Sequence, residues 1–387
     1  MFKDTKFATG CNEFLERVTT MTQIRIGIVG GGYMGKAHAA AYSSVGTIFE
    51  TTLRPVLEMV CATSVKSAEH YKTKFGFNRC TADWAELVSD PNIDAIVIAS
   101  PQSTHRAIAE AAFALGKPVF CEKPLGESLE DSRAMLAAAE AAGAIHMVGF
   151  NYIRTPASQY ARKLLEDGRI GEITYFRAEM TEDFLADPDA PATWRTTGVA
   201  NGCMGDLSPH IINCAHAMMG PVKSLSAVVK TVHAIRGGVA VTNDDQAQIM
   251  IEFENGVSGH IHASRIATGR KMGYAYEIHG SKGMIRFDGE DQNTLHLYLR
   301  EGDSADQGFR RILTGPYHPD YLPFCQGPGH GTGYQDQIVI EAKDFLTAIE
   351  TKTNIWPTFS EGMEVNRIVK AAIDSSNKRI WVNVSDY

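Results

Sequence analysis

The chain has 387 residues, 44% hydrophobic and 21% charged, an ordinary globular composition long enough to bury two cores. A net charge of -8 with no block of lysines or arginines speaks against a nucleic-acid surface, and no apolar run nears the roughly 18 residues of a membrane span. Small neutral polar ligands fit better, and the seven scattered cysteines (Cys11, Cys61, Cys80, Cys121, Cys203, Cys214, Cys325), with no CxxC pair, read as reduced thiols of a cytoplasmic protein.

Residues 1–20 are mixed in charge and lack the apolar core of a secretory signal, so they read as an N-terminal extension without assigned function. Ile24 to Val29 is an apolar β run that passes through glycines into an alanine-rich helix. Val56 to Thr63 forms a second strand, and the following helix stops at Gly76. "IDAIVIAS", "PVFCEK" and "IHMVGF" are further apolar strands, separated by the helices "HRAIAEAAFALG" and "LEDSRAMLAAAEAAG". Repeated strand and helix units predict an α/β fold whose doubly wound parallel sheet, of the Rossmann type, spans 21–148. Beyond it the grammar changes to strands joined by short turns, such as Glu254-Asn255-Gly256, which predicts an α+β domain over 149–387 with a large open mixed or antiparallel sheet. Helices return from Gln335 to Ile380, where Ile340, Phe345 and Ile349 share an apolar face.

Gly30, Gly32 and Gly35 place GxGxxG between the first strand and its helix, with Tyr33 and Met34 inside the motif. The first glycine permits the turn, the second lets backbone approach a pyrophosphate, and the third lets helix and strand pack closely. The acidic residue that usually reads the NAD ribose at the end of the second strand is missing; Ser64 and Lys66 stand there instead, so NAD and NADP both remain open. Ser100, Pro101 and His105 follow the third strand at the carboxyl edge, where His105 either lines the nicotinamide pocket or caps a surface helix.

Asp206 and His210 stand four apart in "MGDLSPHIINCAHAMMG", a spacing that on one helix sets them about 5 to 6 Å apart at Cβ. A carboxylate beside an imidazole suits a general base; an N-cap aspartate with a core histidine is the alternative. In "CEKPLG", Glu122, Lys123 and Pro124 follow an apolar strand, so Lys123 either runs out into water or points into a site. His216, His233, His262 and His279 do not cluster with carboxylates, and no HExxH is present, so no catalytic metal is expected. Neither a GxSxG elbow nor a plausible cysteine nucleophile occurs.

Together, GxGxxG at Gly30 to Gly35, "EKP" at Glu122 to Pro124, "GFNYIRTP" at Gly149 to Pro156 and "GDLSPH" at Gly205 to His210 resemble the Gfo/Idh/MocA family of sugar and inositol oxidoreductases over nearly the whole chain from Met21. The C-terminal half is most similar to the family's glycoside and sugar dehydrogenases. The resemblance implies an NAD(P)-dependent enzyme moving hydride between nicotinamide and a secondary alcohol of a sugar, glycoside, anhydrosugar or cyclic polyol. It implies Lys123, Asp206 and His210 as the catalytic group, with His210 taking the hydroxyl proton, Asp206 supporting and orienting it, and Lys123 polarising the oxygen. Glu122 and Lys123 join the cofactor set, and the open sheet implies a homodimer or homotetramer. Tyr152, Arg154, Asp183, Trp194, Arg195, Arg265, His318 and Tyr334 are candidates to meet substrate hydroxyls, with Tyr152 and Arg154 on one strand-like stretch. The reverse reaction on a keto- or anhydro-sugar or a dihydrodiol is an alternative, as is a dinucleotide-sensing regulator without turnover.

Overall fold

Ile24, Ile26 and Ile28 are buried along β1 (Thr22–Val29), which sits inside a six-stranded parallel sheet. The computed structural model describes residues 21–387; Cys11 and the expected extension 1–20 lie outside the described residues. The other strands of this sheet are β2 (Leu53–Cys61), β3 (Arg79–Thr81), β4 (Ala95–Ile98), β5 (Val119–Glu122) and β6 (His146–Gly149), in the order β3-β2-β1-β4-β5-β6. Helices α1 (Tyr33–Ile48), α2 (Val65–Phe75), α3 (Trp84–Ser89), α4 (His105–Ala114) and α5 (Leu129–Ala142) connect them. The strand order reverses between β1 and β4, and ligands of open α/β sheets bind at such a switch point. Strand β3 was not expected: three residues are too few for a hydrophobic period to show.

After α6 (Pro156–Glu166), the chain enters a nine-stranded mixed sheet with β7 (Ile173–Thr181) at its middle. Helices α7 (Cys203–Asp206) and α8 (Ser208–Met219) precede β8 (Val222–Lys230), and a small two-stranded pair, β9 (Ile235–Arg236) and β10 (Val239–Ala240), stands apart. Next come β11 (Gln246–Phe253), β12 (Ser258–Ser264), β13 (Gly273–Gly280), β14 (Gly283–Asp288), β15 (Thr294–Leu299) and β16 (Arg310–Leu313). The order is β16-β15-β14-β13-β7-β12-β11-β8-β17, where β17 is Val382–Asn383. Only β7 and β12 pair in parallel. The expected hairpin turn joins β11 to β12, with Gly256 at φ +83° where a side chain would be strained.

Helices α9 (Tyr334–Thr351) and α10 (Phe359–Lys378) close the chain. Helix α10 lies against β8 in the second sheet, but α9 returns to the first. Ile338, Ile340, Phe345 and Leu346 are buried in the same core as Ile26, Ile28 and Phe120, and the Phe345 ring meets Phe120 edge-on at 5.9 Å. Ile340 and Phe345 are fully buried and Ile349 packs at the edge, but nine residues at about 100° each set Ile340 and Ile349 on opposite sides of α9, which is buried nearly all round rather than along one shared face. The last strand of the first sheet runs to Gly149, and the core beneath that sheet takes residues from both ends of the chain. Among the described residues, no helix is long and apolar enough to cross a membrane.

Because Phe345 is fully buried between the two halves of the chain, Phe345→Ala should cost about 3–5 kcal/mol. The check is urea denaturation followed by both circular dichroism and fluorescence. The expected outcome is a lowered midpoint seen equally by both probes, since one core holds residues from both ends of the chain.

Candidate active site

The glycine turn shows in its backbone why these positions are glycine. Gly30 has φ +110°, and a Cβ there would lie 2.4 Å from the Ala99 carbonyl oxygen; at Gly35 it would lie 2.0 Å from the Gly30 carbonyl oxygen. At Gly32, the residue preceding α1, a Cβ would meet nothing within 4 Å, so the turn opens onto free space beside the N–H groups of the helix. The first turn of α1 carries no acidic side chain, which leaves its positive end available to an anion. These features fit a dinucleotide pyrophosphate.

That turn forms one wall of a cleft of about 1180 Å³ that runs between the two sheets. Ser100, Pro101 and His105 line it beyond β4. His105 is buried, not a surface cap. Its Nε2 lies 2.9 Å from the Ser100 carbonyl and its Nδ1 3.1 Å from the Leu125 carbonyl, so it ties the loop after β4 to the loop after β5. Burial holds its pKa below the ordinary histidine value. At the end of β2, the lining residues are Ala62, Thr63, Ser67 and Tyr71, none of them acidic. Ser64 and Lys66 are not among them: the Ser64 hydroxyl accepts from the Ser67 amide at 3.2 Å as the N-cap of α2, and Lys66 is exposed.

The chemistry gathers where β5 ends. Glu122 is buried, with Oε1 2.7 Å from His38 Nε2, and its Oε2 accepts from the Lys123 amide at 3.3 Å. Lys123, joined to Pro124 by a cis peptide, turns into the cleft. Its ammonium donates to Asp206 Oδ1 at 2.9 Å and to the Asp206 carbonyl at 2.8 Å. That carbonyl is free because the helix breaks there: α7 ends at Asp206, α8 begins at Ser208 with Pro209 in its first turn, and the His210 amide bonds Leu207 instead. The expected single helix carrying both side chains is thus two helices. The second carboxylate oxygen of Asp206 accepts from Arg195 Nη1. Burial raises the Asp206 pKa, but Lys123 and Arg195 outweigh it and hold the carboxyl below its ordinary value.

His210 lines the same cleft, with its ring 4.4 Å from that of Tyr152. Its Nδ1 is buried without a hydrogen-bond partner, and neither ring nitrogen bonds Asp206. Burial and then the Lys123 charge push its pKa well below the ordinary histidine value, against the opposing pull of Asp206. It is therefore a neutral imidazole. Tyr33, Met34, Tyr334, Trp194 and Arg195 also line the cleft, with the Arg195 guanidinium 4.3 Å from the Trp194 ring centre.

Four residues expected to meet substrate lie elsewhere. Tyr152–Arg154 is a 3-10 turn rather than a strand, so successive side chains rotate by about 120° and the two diverge. Tyr152 enters the cleft, while Arg154 is 6% exposed, paired with Asp344 at 2.9 Å and bonded to the Trp356 carbonyl. Asp183 pairs with Lys271 at 2.7 Å on the opposite side of its strand. Arg265 is buried beneath the cleft, donating to Asp245, Asn243 and the Arg195 carbonyl, and so supports Arg195 from behind. His318 packs edge-on against Tyr160 at 4.7 Å.

Glu182 is the functional candidate missing from the sequence reading. Residues two apart on a strand share a face, and Met180 and Glu182 both line the cleft, whereas Asp183 faces away. Applying that parity from the end of β7 would have selected Glu182. Asn151 and Gln102 also line the cleft, but no periodicity marks them, because both lie in short turns.

Residues 24–150 match the oxidoreductase family with an NAD-binding Rossmann fold, and residues 158–286 match the GFO/IDH/MocA C-terminal domain. The levoglucosan dehydrogenase of Pseudarthrobacter phenanthrenivorans is 36% identical over 94% of this chain and 99% of its own length. The inositol 2-dehydrogenase of Rhizobium meliloti is 29% identical, with the same coverage of both chains. Among solved structures, a levoglucosan dehydrogenase in complex with NADH and levoglucosan superposes with a TM-score of 0.92 at 36% identity, covering 94% of this chain and 100% of that one. An NAD-binding oxidoreductase from Klebsiella pneumoniae gives 0.89 at 36% identity, covering 94% and 99%. With the glycine turn, the lysine after β5 and the aspartate and histidine around the α7 to α8 break in one cleft, the chain belongs to the GFO/IDH/MocA family and is an NAD(P)-dependent oxidoreductase of CH–OH groups.

Proposed function

We propose that the protein oxidises a secondary hydroxyl of a sugar, glycoside, anhydrosugar or cyclic polyol, with Lys123, His210 and Asp206 acting on that hydroxyl. The observation that carries the reading is the Lys123 ammonium, bonded twice to Asp206 in the cleft that His210 also lines. Similarity to dehydrogenases named for levoglucosan and inositol supports the substrate class.

An ammonium has three N–H donors, and two are taken by Asp206. The third is left to hold the substrate oxygen and to stabilise the negative charge that grows on it. His210, neutral and with Nδ1 buried, offers Nε2 to the cleft and accepts the hydroxyl proton there. Asp206 acts through Lys123 rather than through the imidazole, since its oxygens go to Lys123 and Arg195. A bound nicotinamide dinucleotide would supply the hydride acceptor; Gly30, Gly32 and the start of α1 would hold its pyrophosphate, and the Ser100 to His105 and Glu122 to Lys123 loops would flank its nicotinamide end. The lack of an acidic lining residue after β2 leaves room for NAD or NADP.

Unpaired Cys61, Cys80, Cys121, Cys203, Cys214 and Cys325 support a cytoplasmic setting. The exposed Val228 and Met250 on neighbouring strands β8 and β11 support a homodimer or homotetramer built on the open sheet.

A spectrophotometric screen at 340 nm, with NAD and NADP in parallel, should show reduced cofactor with levoglucosan, myo-inositol or a glucoside; silence across the panel despite cofactor binding would overturn the reading. With the best compound, Lys123→Ala and His210→Asn should each lower kcat about 10²- to 10⁴-fold while NADH affinity is kept. Retention of full activity in either would remove that residue from the mechanism. Because the His210 pKa is depressed, its protonation should not reduce turnover between about pH 6 and pH 9. An acid limb in that window that His210→Asn removed would contradict a neutral imidazole.

A further inference from the structure

Four carboxylates line the cleft, and the chain itself engages two of them. Glu122 is taken by His38 and the Lys123 amide, and Asp206 by Lys123 and Arg195. Glu127 is exposed on the loop beyond Pro124. Glu182 is different: it is half-buried, and no side chain or backbone group of the described residues bonds its carboxylate. Its backbone is held on both sides, the amide donating to the Ser264 carbonyl at 2.8 Å and its own carbonyl accepting from the Ala267 amide at 2.9 Å. The side chain is thus aimed from a rigid strand end into the space before Lys123, Asp206 and Tyr152, without a partner.

Resting on the functional reading above, we propose that Glu182 recognises the substrate, accepting hydrogen bonds from hydroxyls that neighbour the oxidised carbon. The enzyme would then select vicinal diols and polyols over simple secondary alcohols. A carboxylate can accept from two hydroxyls at once, and whereas each Asp206 oxygen already accepts from a cation, neither oxygen of Glu182 is engaged. Half-burial without a partner has a cost that a substrate hydroxyl removes, and a compound lacking that hydroxyl leaves the group unpaired. Charge also fits: Lys123 and Arg195 face Glu182 across the cleft and favour its ionised form, while Asp206 and its neighbour Asp183 oppose it. Burial, followed by the Asp206 charge, lifts the Glu182 pKa above the ordinary glutamate value. The group is therefore protonated earlier on acidification than a solvated glutamate, and kcat/KM for polyols should fall as pH drops through it.

The test compares wild type, Glu182→Gln and Glu182→Ala on levoglucosan, myo-inositol and cyclohexanol, with NADH affinity and circular dichroism as controls. Expected are an increase in KM for the polyols of about 10- to 100-fold with a smaller change in kcat, little change for cyclohexanol, and an acid limb of kcat/KM that Glu182→Gln shifts or removes. Polyol KM within twofold of wild type and an unmoved acid limb would overturn the proposal while leaving the dehydrogenase reading intact. Loss of NADH binding or of folded signal in both variants would assign Glu182 a structural role and also overturn it. Calorimetry of NADH-loaded wild type separates the remaining case: a protein that neither binds nor oxidises any polyol fails the functional reading, and the proposal with it.

Discussion

Lys123 and Asp206 are 83 residues apart, and their double contact closes the cleft. Lys123 comes from the end of a parallel strand; Asp206 comes from a helix break above the second sheet. Their meeting requires the two sheets to hold one spacing, because an ammonium reaching both a carboxylate and a carbonyl tolerates little displacement. The contact is also electrostatically economical. Asp206 is largely removed from water, and two cations compensate its charge, one on each oxygen.

The second cation, Arg195, is itself held from below. Arg265 and Asn243 both donate to the Arg195 backbone carbonyl, and Arg265 is paired at 2.9 Å with the fully buried Asp245. Removing one partner of such a buried pair costs about 3–5 kcal/mol, because the other is left charged in a medium that solvates it poorly. The fully buried Arg236 anchors the same loop through the carbonyls of Leu185 and Asp187. Three layers therefore lead from the sheet to Asp206: a buried ion pair, a pinned loop, and the Arg195 side chain bonded to it. His105 likewise bridges two loops, those after β4 and β5.

Local rules read the site well wherever the chain itself sets the geometry. The glycines at 30, 32 and 35 follow from a turn that must pass between a strand and a helix, and the structure has the close approaches that exclude a side chain at Gly30 and Gly35. Where a local pattern admitted two geometries, the reading went astray. Tyr152 and Arg154 suit a strand by alternation, but they form a 3-10 turn, and Arg154 serves packing. Asp206 and His210 suit one helix by spacing, yet Pro209 lacks the N–H that would continue it, and the break hands the Asp206 carbonyl to Lys123. Ser64 stands at the end of the second strand but spends its hydroxyl on capping α2.

The sequence by itself determined the repeated strand and helix units, the glycine turn and the hairpins of the second sheet, and it singled out the lysine, aspartate and histidine that line one cleft. Each of these is written in spacings of a few residues, the range over which backbone geometry and hydrophobic period act. Only the tertiary structure decided that α9 packs back onto the first sheet, that Asp206 serves Lys123 and Arg195 rather than His210, and that Glu182 rather than Asp183 faces the cleft. These outcomes depend on which distant side chain reaches a charge first when both leave water. That competition is settled by distances across the cleft, which no local pattern encodes.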